Sequence, residues 1–248
     1  MPAVFVHGNP ESAAIWDELF THLQRKDVVA LSPPGFGAPV PAGFDATADA
    51  YLAWLVAELK GIDGPVDLVG HDWGGGHVMR VAMTRPDLIR SWVSDIAGAF
   101  DAEYEWHELA KTWQTPMVGD MTVNMMVNAP LSMREAQFVS FGLGSAAARV
   151  AEAVNADMGR CLLALYRSAK QPVMRNWGRD LEKAAARPGL AVIAERDKYV
   201  GGEVLGRRSA ERAGARVAFL PGCGHWWMCE NAGLAAQTLD RFFDEVAR

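Results

Sequence analysis

The stretch Val69-Gly70-His71-Asp72-Trp73-Gly74-Gly75 decides the fold of this 248-residue chain. Small residues two positions before and two positions after a central side chain permit a strained turn that lifts this side chain out of a sheet. The apolar run 66–69 leads into the stretch, and apolar residues at helical spacing follow it over 78–82. The stretch therefore predicts a turn from a buried strand into a helix, with Asp72 presented at the turn.

Five other short apolar runs have the size of strands, at 4–6, 28–31, 91–94, 190–194 and 217–220. Segments with helical spacing of apolar residues lie between them, for example Ile15, Leu19 and Leu23. Buried strands that alternate with helices predict an α/β fold, in which helices cover both faces of a mostly parallel sheet. In such a sheet the reactive residues are expected where the strands end, at the carboxyl edge.

From about 98 to 188 this alternation stops, and the sequence is helix-like and rich in Met and Ala. We interpret residues 98–188 as an inserted helical cap, and residues 1–97 and 189–248 as one α/β core. The insertion contains a group of methionines, Met117, Met121, Met125 and Met126. Because Met adapts to irregular gaps, packing inside the protein is the favoured interpretation of these side chains, over contact with a substrate.

Composition limits the class of protein. Hydrophobic residues make up 50% and charged residues 22%, which is typical of a soluble globular chain and disfavours disorder. The formal net charge of -6 disfavours binding to a phosphate backbone, so no nucleic-acid partner is expected. No apolar run reaches about 18 residues and no basic region precedes the first apolar run, so we expect a cytoplasmic protein without a membrane segment.

The cysteines are Cys161, Cys223 and Cys229, and no two of them form a CxxC pair. This spacing predicts reduced thiols rather than a disulfide framework or a structural zinc site. We expect no metal and no cofactor, and either a monomer or a homodimer.

Asp72 occupies the position from which such a turn presents a nucleophile. A carboxylate at this position can attack a carbon atom and form an ester intermediate. An Asp here could instead cap the following helix, which is the less favoured interpretation. Because an ester intermediate has to be hydrolysed, the site also needs a base with a pKa near neutrality, and His supplies one.

Among the 6 histidines, His225 is the predicted base, because its loop follows the apolar run 217–220 and belongs at the same edge as Asp72. His7 also ends a run, but Gly8-Asn9-Pro10 follows it, so it is expected to brace a loop. His71 is expected to point away from Asp72, since side chains alternate along a strand.

The base needs an acid that orients it, and two carboxylates are candidates. Asp197 follows the run 190–194, and Asp95 follows the run 91–94. The chain order of Asp72, Asp197 and His225 matches the order of nucleophile, acid and base in triads on this kind of sheet, so Asp197 is favoured. The other carboxylate would cap a loop.

Backbone N–H groups are expected to meet the negative charge that develops during ester hydrolysis. One belongs to Trp73, the residue after the nucleophile, and the other to Asn9, in the loop after His7-Gly8. The side chains of Asn9 and Trp73 also carry N–H donors, and two donors at one apolar pocket can hold a departing halide. An Asn in a turn before Pro has an equally good structural explanation.

With these motifs the chain resembles the α/β-hydrolase superfamily over nearly its whole length, and in particular its Asp-nucleophile branch of epoxide hydrolases and haloalkane dehalogenases. The resemblance to epoxide hydrolases lies in the segments 70–75 and 223–226 and in His7-Gly8-x-Pro10-Glu11. Tyr166-Arg167 is similar to the Tyr-Arg pair from which epoxide hydrolases present an acidic phenol to the ring oxygen. The pair Asn9 and Trp73 instead resembles the halide-binding pair of haloalkane dehalogenases.

The chain departs from this family pattern in three ways. It begins at what would be the third strand, so we expect the usual first β-hairpin to be missing. Only Tyr166 lies in a motif that matches the two cap tyrosines of epoxide hydrolases, and Tyr104 or His107 would have to replace the second. Ala194 stands where the family commonly has Gly at the start of the acid loop.

The resemblance implies a cofactor-free hydrolase that takes a small apolar organic substrate and water. The favoured activity is epoxide hydrolysis, with Asp72 as nucleophile, Tyr166 as acid towards the ring oxygen, and His225 oriented by Asp197 as base. The alternative is a haloalkane or haloacid dehalogenase in which Asn9 and Trp73 bind the halide. A non-catalytic small-molecule receptor on the same fold is the second alternative.

Overall fold

The computed structural model describes residues 2–248, and within this range six strands form one sheet. The strands are β1 (Ala3–Val6), β2 (Val28–Leu31), β3 (Val66–Gly70), β4 (Ile89–Ser94), β5 (Gly189–Ala194) and β6 (Arg216–Leu220). They lie in the order β2-β1-β3-β4-β5-β6, and every neighbouring pair is parallel. The predicted α/β fold with its parallel sheet is therefore confirmed, and so is each of the six predicted strands.

The middle of the sheet is buried on both faces. All residues of β1, β3 and β5 are buried, whereas the outer strands β2 and β6 are partly exposed. The register pairs Val6 with Gly70, so the ends of β1 and β3 lie side by side at the carboxyl edge. This register brings the loop after β1 next to the turn that begins at His71.

Helices cover the sheet, as apolar spacing between the strands predicts. The helices α1 (Asp17–His22), α2 (Ala48–Lys60) and α3 (Trp73–Thr84) lie before β4 in the chain, and α10 (Gly202–Arg212), α11 (Trp227–Glu230) and α12 (Ala232–Ala247) lie after β5. The helix α3 is buried along almost its whole length. None of the helices within residues 2–248 is both long and apolar enough to cross a membrane.

The segment between β4 and β5 contains helices joined by loops, and none of its residues belongs to a strand. Its helices are α4 (Glu108–Gln114), α5 (Val118–Asn128), α6 (Leu131–Phe141), α7 (Ala147–Ala153), α8 (Ala156–Ser168) and α9 (Val173–Trp177). Three 3-10 segments accompany them: Ala97–Phe100 before α4, Gly144–Ala146 between α6 and α7, and Gly178–Ala186 after α9. Their treatment as a separate cap stays a prediction.

The interpretation of the cap methionines as internal packing is wrong for most of them. Met117, Met121 and Met125 are 77%, 68% and 71% exposed. The helix α5 packs against α4 and α8 and buries Gly119 and Val123 on that side. Met117 precedes this helix, and Met121 and Met125 lie on its other sides, where Met125 borders an apolar cavity. Helical spacing identified the helix but not the face that it buries.

Candidate active site

Asp72 sits on a strained turn between β3 and α3. Its backbone has φ +50° and ψ -128°, a conformation that side-chain-bearing residues rarely adopt. A Cβ atom on Gly70 would lie 2.5 Å from the Gly74 carbonyl oxygen, and one on Gly74 would lie 2.1 Å from the Val6 carbonyl oxygen. Glycine is therefore required on both sides of the turn, as the sequence pattern predicts.

The Asp72 carboxylate accepts a hydrogen bond from the loop after β1 and makes none to the start of α3. The Asn9 N–H donates to Asp72 Oδ1 at 3.0 Å, and the side chain makes no capping hydrogen bond to α3. The Asp72 N–H itself donates to Asp95 Oδ1 at 3.0 Å. Asp72 thus occupies the N-cap position of α3, but its side chain does not cap the helix.

His225 lies between Asp72 and Asp197. Its Nδ1 is 2.7 Å from Asp197 Oδ2, and its Nε2 is 3.6 Å from Asp72 Oδ2. Asp197 is fixed in turn by the Tyr199 N–H, which donates to its Oδ1 at 2.8 Å. The three residues proposed as nucleophile, acid and base thus meet at the carboxyl edge, from the ends of β3, β5 and β6.

Charge and burial set the protonation of this group. Burial opposes the ionised form of Asp72, but His225, the charge of His71 and the Asn9 N–H outweigh it and lower the pKa of Asp72 to about 2. Burial likewise opposes the charged form of His225, yet Asp197 and Asp72 raise its pKa well above the ordinary value. The resting site therefore holds an Asp72 carboxylate beside a protonated His225.

A second His–carboxylate pair lies directly beneath the first. His71 Nδ1 is 2.5 Å from Asp95 Oδ2, and His71 Nε2 is 3.2 Å from Glu11 Oε1. The rings of His71 and His225 have centroids 4.6 Å apart. Asp95, the alternative acid, is therefore engaged by His71 and not by His225, and its role extends beyond the loop cap that the sequence suggested.

His71 is buried completely, and its environment keeps it charged. Burial opposes the charge, but Asp95 and Glu11 outweigh it and raise the pKa of His71 to about 10. The two carboxylates also bind indole groups: Trp226 Nε1 donates to Glu11 and Trp227 Nε1 donates to Asp95. Sequence reasoning missed this arrangement, although Glu11 stands in the motif after β1 that carried the family resemblance.

The cavity above Asp72 and His225 has a volume of about 450 Å³ and is mostly apolar. Aromatic, Leu and Met side chains form much of its wall, including Leu109, Trp113, Met125, Met126, Met133, Phe138, Phe141 and Trp226. Its size and lining are typical of a small-molecule site. Asp72 and His225 are the ionised groups among the residues that line it.

Tyr166, the predicted acid, lines this cavity together with Asp72. It is buried in α8, and its ring meets Trp73 edge-on with centroids 5.4 Å apart. Burial and the negative charge of Asp72 raise the pKa of Tyr166, although a hydrogen bond with Trp73 opposes this rise. The phenol is therefore protonated in the resting site.

The two candidates for a second donor differ in position. The Tyr104 hydroxyl donates to the Tyr199 carbonyl oxygen at 2.8 Å, so its proton is already used. His107 lines the cavity with Asp72 and Tyr166. The structure thus brings His107, and not Tyr104, to the wall of this cavity.

The expected charge-stabilising donors also lie at Asp72. Asn9 lines the cavity, and its backbone N–H already contacts the Asp72 carboxylate. Trp73 is buried at the start of α3 and stacks on Trp106 with centroids 5.8 Å apart. Among residues 2–248 no group of three or more His, Cys, Asp or Glu side chains has the geometry to hold a metal ion.

In a comparison with protein families, residues 3–237 match the model of the alpha/beta hydrolase family. The lipase LipV of Mycobacterium tuberculosis is 37% identical over 89 residues, which are 36% of this chain and 34% of the lipase. An epoxide hydrolase of Caballeronia sordidicola is 32% identical over 104 residues, 36% of this chain and 29% of that enzyme. A haloalkane dehalogenase of Mesorhizobium japonicum is 27% identical over 129 residues, 48% of this chain and 42% of that enzyme. The matches span between 29% and 42% of the length of these curated relatives.

Solved structures resemble the chain over its full length. The crystal structure of the DbjA delta mutant superposes with a TM-score of 0.76 at 19% identity and covers 99% of this chain and 91% of that one. A haloalkane dehalogenase of Bradyrhizobium elkani gives a TM-score of 0.71 at 17% identity, covering 99% and 90%. At such identities the likeness shows a shared fold.

Proposed function

The chain belongs to the alpha/beta hydrolase family, and we propose that it hydrolyses small uncharged epoxides through a covalent ester on Asp72. The observation that carries this proposal is that the buried phenol of Tyr166 lines the same apolar cavity as the Asp72 carboxylate. A strained ring with an oxygen leaving group needs both an anionic nucleophile and an acidic donor. Relatives named as an epoxide hydrolase and a haloalkane dehalogenase support an Asp-based mechanism in general terms.

In the first step Asp72 attacks a ring carbon. An Asp72 oxygen forms the new C–O bond, the ring C–O bond breaks, and its electron pair moves to the ring oxygen. Tyr166 gives its proton to that oxygen. Because the charge of Asp72 is one cause of the raised pKa of Tyr166, the phenol becomes more acidic as Asp72 is consumed.

The proton lost by Tyr166 is replaced from His225. His225 is protonated at rest, partly because of the neighbouring Asp72 charge. Esterification removes that charge, so the pKa of His225 falls and its proton passes to the tyrosinate. The intermediate then has a neutral Tyr166, a neutral His225 and a hydroxyl group on the substrate.

In the second step the neutral His225 takes a proton from water, and the resulting hydroxide attacks the ester carbonyl of Asp72. The Asn9 and Trp73 N–H groups stabilise the oxyanion that forms. Asp197, 2.7 Å from His225 Nδ1, holds the ring in place and stabilises its positive charge. As the tetrahedral intermediate collapses, the C–O bond to the substrate breaks and the leaving oxygen takes the proton that the attacking hydroxide brought. This releases the diol and leaves the Asp72 carboxylate beside a protonated His225, as at the start of the cycle.

A dehalogenase is the second candidate, because Asn9 lines the apolar cavity with Asp72, and Trp73 lines a smaller space that Asp72 also borders. A halide leaves without a proton and needs N–H donors in a dry environment instead. In that case Asn9 and Trp73, rather than Tyr166, would carry the first step.

One experiment separates the two activities. The wild type is assayed with an epoxide and a bromoalkane of the same carbon skeleton, and kcat/KM is then measured for Tyr166→Phe and Asn9→Ala. For an epoxide hydrolase, Tyr166→Phe lowers kcat/KM roughly 10²–10⁴-fold and Asn9→Ala has a smaller effect. A non-catalytic receptor would turn over neither substrate. An unchanged rate of epoxide opening in Tyr166→Phe contradicts the proposal.

A further inference from the structure

A second, much smaller space also borders the Asp72 carboxylate. Its volume is about 20 Å³, against about 450 Å³ for the apolar cavity described above. Four residues line both: Asp72, His107, Tyr166 and Tyr199. An epoxide carbon that is placed for attack by Asp72 therefore has two neighbouring spaces for its substituents, and these spaces differ greatly in volume.

The wall of the small space is packed on all sides that the lining residues describe. Trp106 stacks on Trp73 with centroids 5.8 Å apart, and Tyr104 meets Trp106 edge-on with centroids 5.4 Å apart. The Tyr104 hydroxyl is bound to the Tyr199 carbonyl oxygen at 2.8 Å. Buried apolar side chains form another part of the wall: Ile96, Ala99 and Met174. Because close-packed side chains resist added volume, this space does not widen easily.

The volume of the small space limits what can enter it. A single water molecule needs a cavity of roughly 10–15 Å³ on this measure. At about 20 Å³ the space therefore admits a hydrogen atom or one methyl group of a substrate, and a longer alkyl chain does not fit.

The large cavity, in contrast, continues to the protein surface. Met125 in α5 and Met133 in α6 line it, and they are 71% and 63% exposed. The cavity thus opens beside these two helices, and methionine side chains adapt to apolar groups of different shape. A long apolar substituent can lie along this cavity and extend towards its open end.

We propose that the substrate is an epoxide with one large apolar substituent, and that the substituent on the other ring carbon is at most a methyl group. The large substituent lies in the cavity, and the other lies in the small space beside Ala99 and Met174. Met174 is then a residue that determines specificity. This inference rests on the proposed epoxide hydrolysis and adds the class of substrate to it.

Two isomeric epoxides test the inference, trans-2-methyl-3-pentyloxirane and trans-2,3-dipropyloxirane. They have the same formula, and each ring carbon carries one alkyl group, so they differ only in how the carbon atoms are divided between the two sides. The trans arrangement directs the two groups to opposite sides of the ring. We expect the wild type to have a kcat/KM at least roughly 10²-fold higher for the methyl–pentyl isomer, since one methylene that does not fit a pocket costs roughly 10–200-fold.

Met174→Ala enlarges the small space, and it should change this preference. The ratio of kcat/KM for the dipropyl isomer to kcat/KM for the methyl–pentyl isomer should rise at least roughly tenfold. The matched control is Met158→Ala, the same truncation at another buried methionine of the segment between β4 and β5, which lines neither space. The control should keep the ratio of the wild type.

Each contrary result has its own meaning. Equal kcat/KM for the two isomers in the wild type overturns the inference without any variant and leaves the proposed function standing. An unchanged ratio in Met174→Ala, or an equal rise in Met158→Ala, also overturns it, because the small space would then not set the preference. If the wild type opens neither isomer nor the terminal isomer hexyloxirane, the proposed function is overturned and the inference with it.

Discussion

His71 and His225 contact the same kinds of residue, and their ring centroids are 4.6 Å apart, yet only His225 borders the cavity. Each has its Nδ1 on an Asp carboxylate: His225 on Asp197 at 2.7 Å and His71 on Asp95 at 2.5 Å. The difference lies at Nε2. His225 faces the Asp72 carboxylate at 3.6 Å, whereas His71 faces Glu11 at 3.2 Å in the interior.

A His–Asp pair thus serves two purposes in this molecule: one pair holds a constant charge, and the other changes its protonation during the proposed reaction. Each ring nitrogen of His71 faces a carboxylate that takes no part in the proposed reaction. The positive charge of His71 therefore stays constant and contributes to the ionisation of Asp72. His225 has one permanent carboxylate and one that the proposed reaction removes. Its protonation therefore changes during the cycle, while that of His71 does not.

The largest expected effect on activity comes from removing the Asp72 carboxylate, which faces His225 but not His71. Asp72→Ala should lower kcat by more than roughly 10⁴-fold, because no other side chain can form the ester. The thermal unfolding temperature should change little, since Asp72 is presented at a turn next to the cavity. Steady-state turnover and a melting curve check both points. Turnover within tenfold of the wild type would contradict the role of Asp72.

His225→Gln should block only the second step. Ester formation needs no base, so the enzyme should accumulate an Asp72 adduct, and its hydrolysis should slow by roughly 10²–10⁴-fold. Intact-mass measurement after addition of substrate detects this adduct. A variant that stalls before any adduct forms would mean that His225 is required earlier than we propose.

His71→Gln is the matched variant for that experiment, and its main effect should be on stability. It leaves Asp95 and Glu11 without their cation in a fully buried position, which costs about 3–5 kcal/mol of unfolding free energy. His225→Gln should cost less, because the Asp72 side chain is 14% exposed and borders the cavity. Urea denaturation compares the two variants. Equal stabilities would remove the distinction between the histidines.

The smallest effect is on pH dependence, and it separates the two steps. Ester formation should not fall between pH 8 and pH 5, because the pKa of Asp72 is about 2 and the carboxylate stays ionised. Ester hydrolysis should fall as pH decreases, since it needs neutral His225. This fall should lie at lower pH than the titration of His225 in the free enzyme, because esterification removes the Asp72 charge that raises its pKa. Single-turnover rates across this range test both statements.

Much of this arrangement follows from the sequence, because it depends on local features. Short runs of Val, Ile, Leu and Ala fit a buried parallel sheet, and glycines on both sides of Asp72 identify the turn. Parallel strands end at one edge, so the loops that carry Asp197 and His225 were expected near Asp72. The strands, the turn and the shared edge of the sheet could therefore be predicted without knowing any contact between distant residues.

The remaining features depend on contacts between distant segments. Asp95 and Asp197 both follow strands at the same edge, and only the three-dimensional packing shows which carboxylate each histidine contacts. His71 gained its second partner from Glu11, which is 60 positions earlier in the chain. The exposed Met125 shows the same limit in the helices before β5, where the spacing of residues does not reveal which side of α5 faces its neighbours.

The central claim is that water attacks the Asp72 ester and never the substrate carbon. A single turnover in water enriched in oxygen-18, with enzyme in excess over an epoxide, tests it directly by mass spectrometry. We expect the diol from the first turnover to carry no label, because its new oxygen comes from Asp72, and the label to appear in the Asp72 carboxylate. Label in the diol of the first turnover would contradict the covalent mechanism.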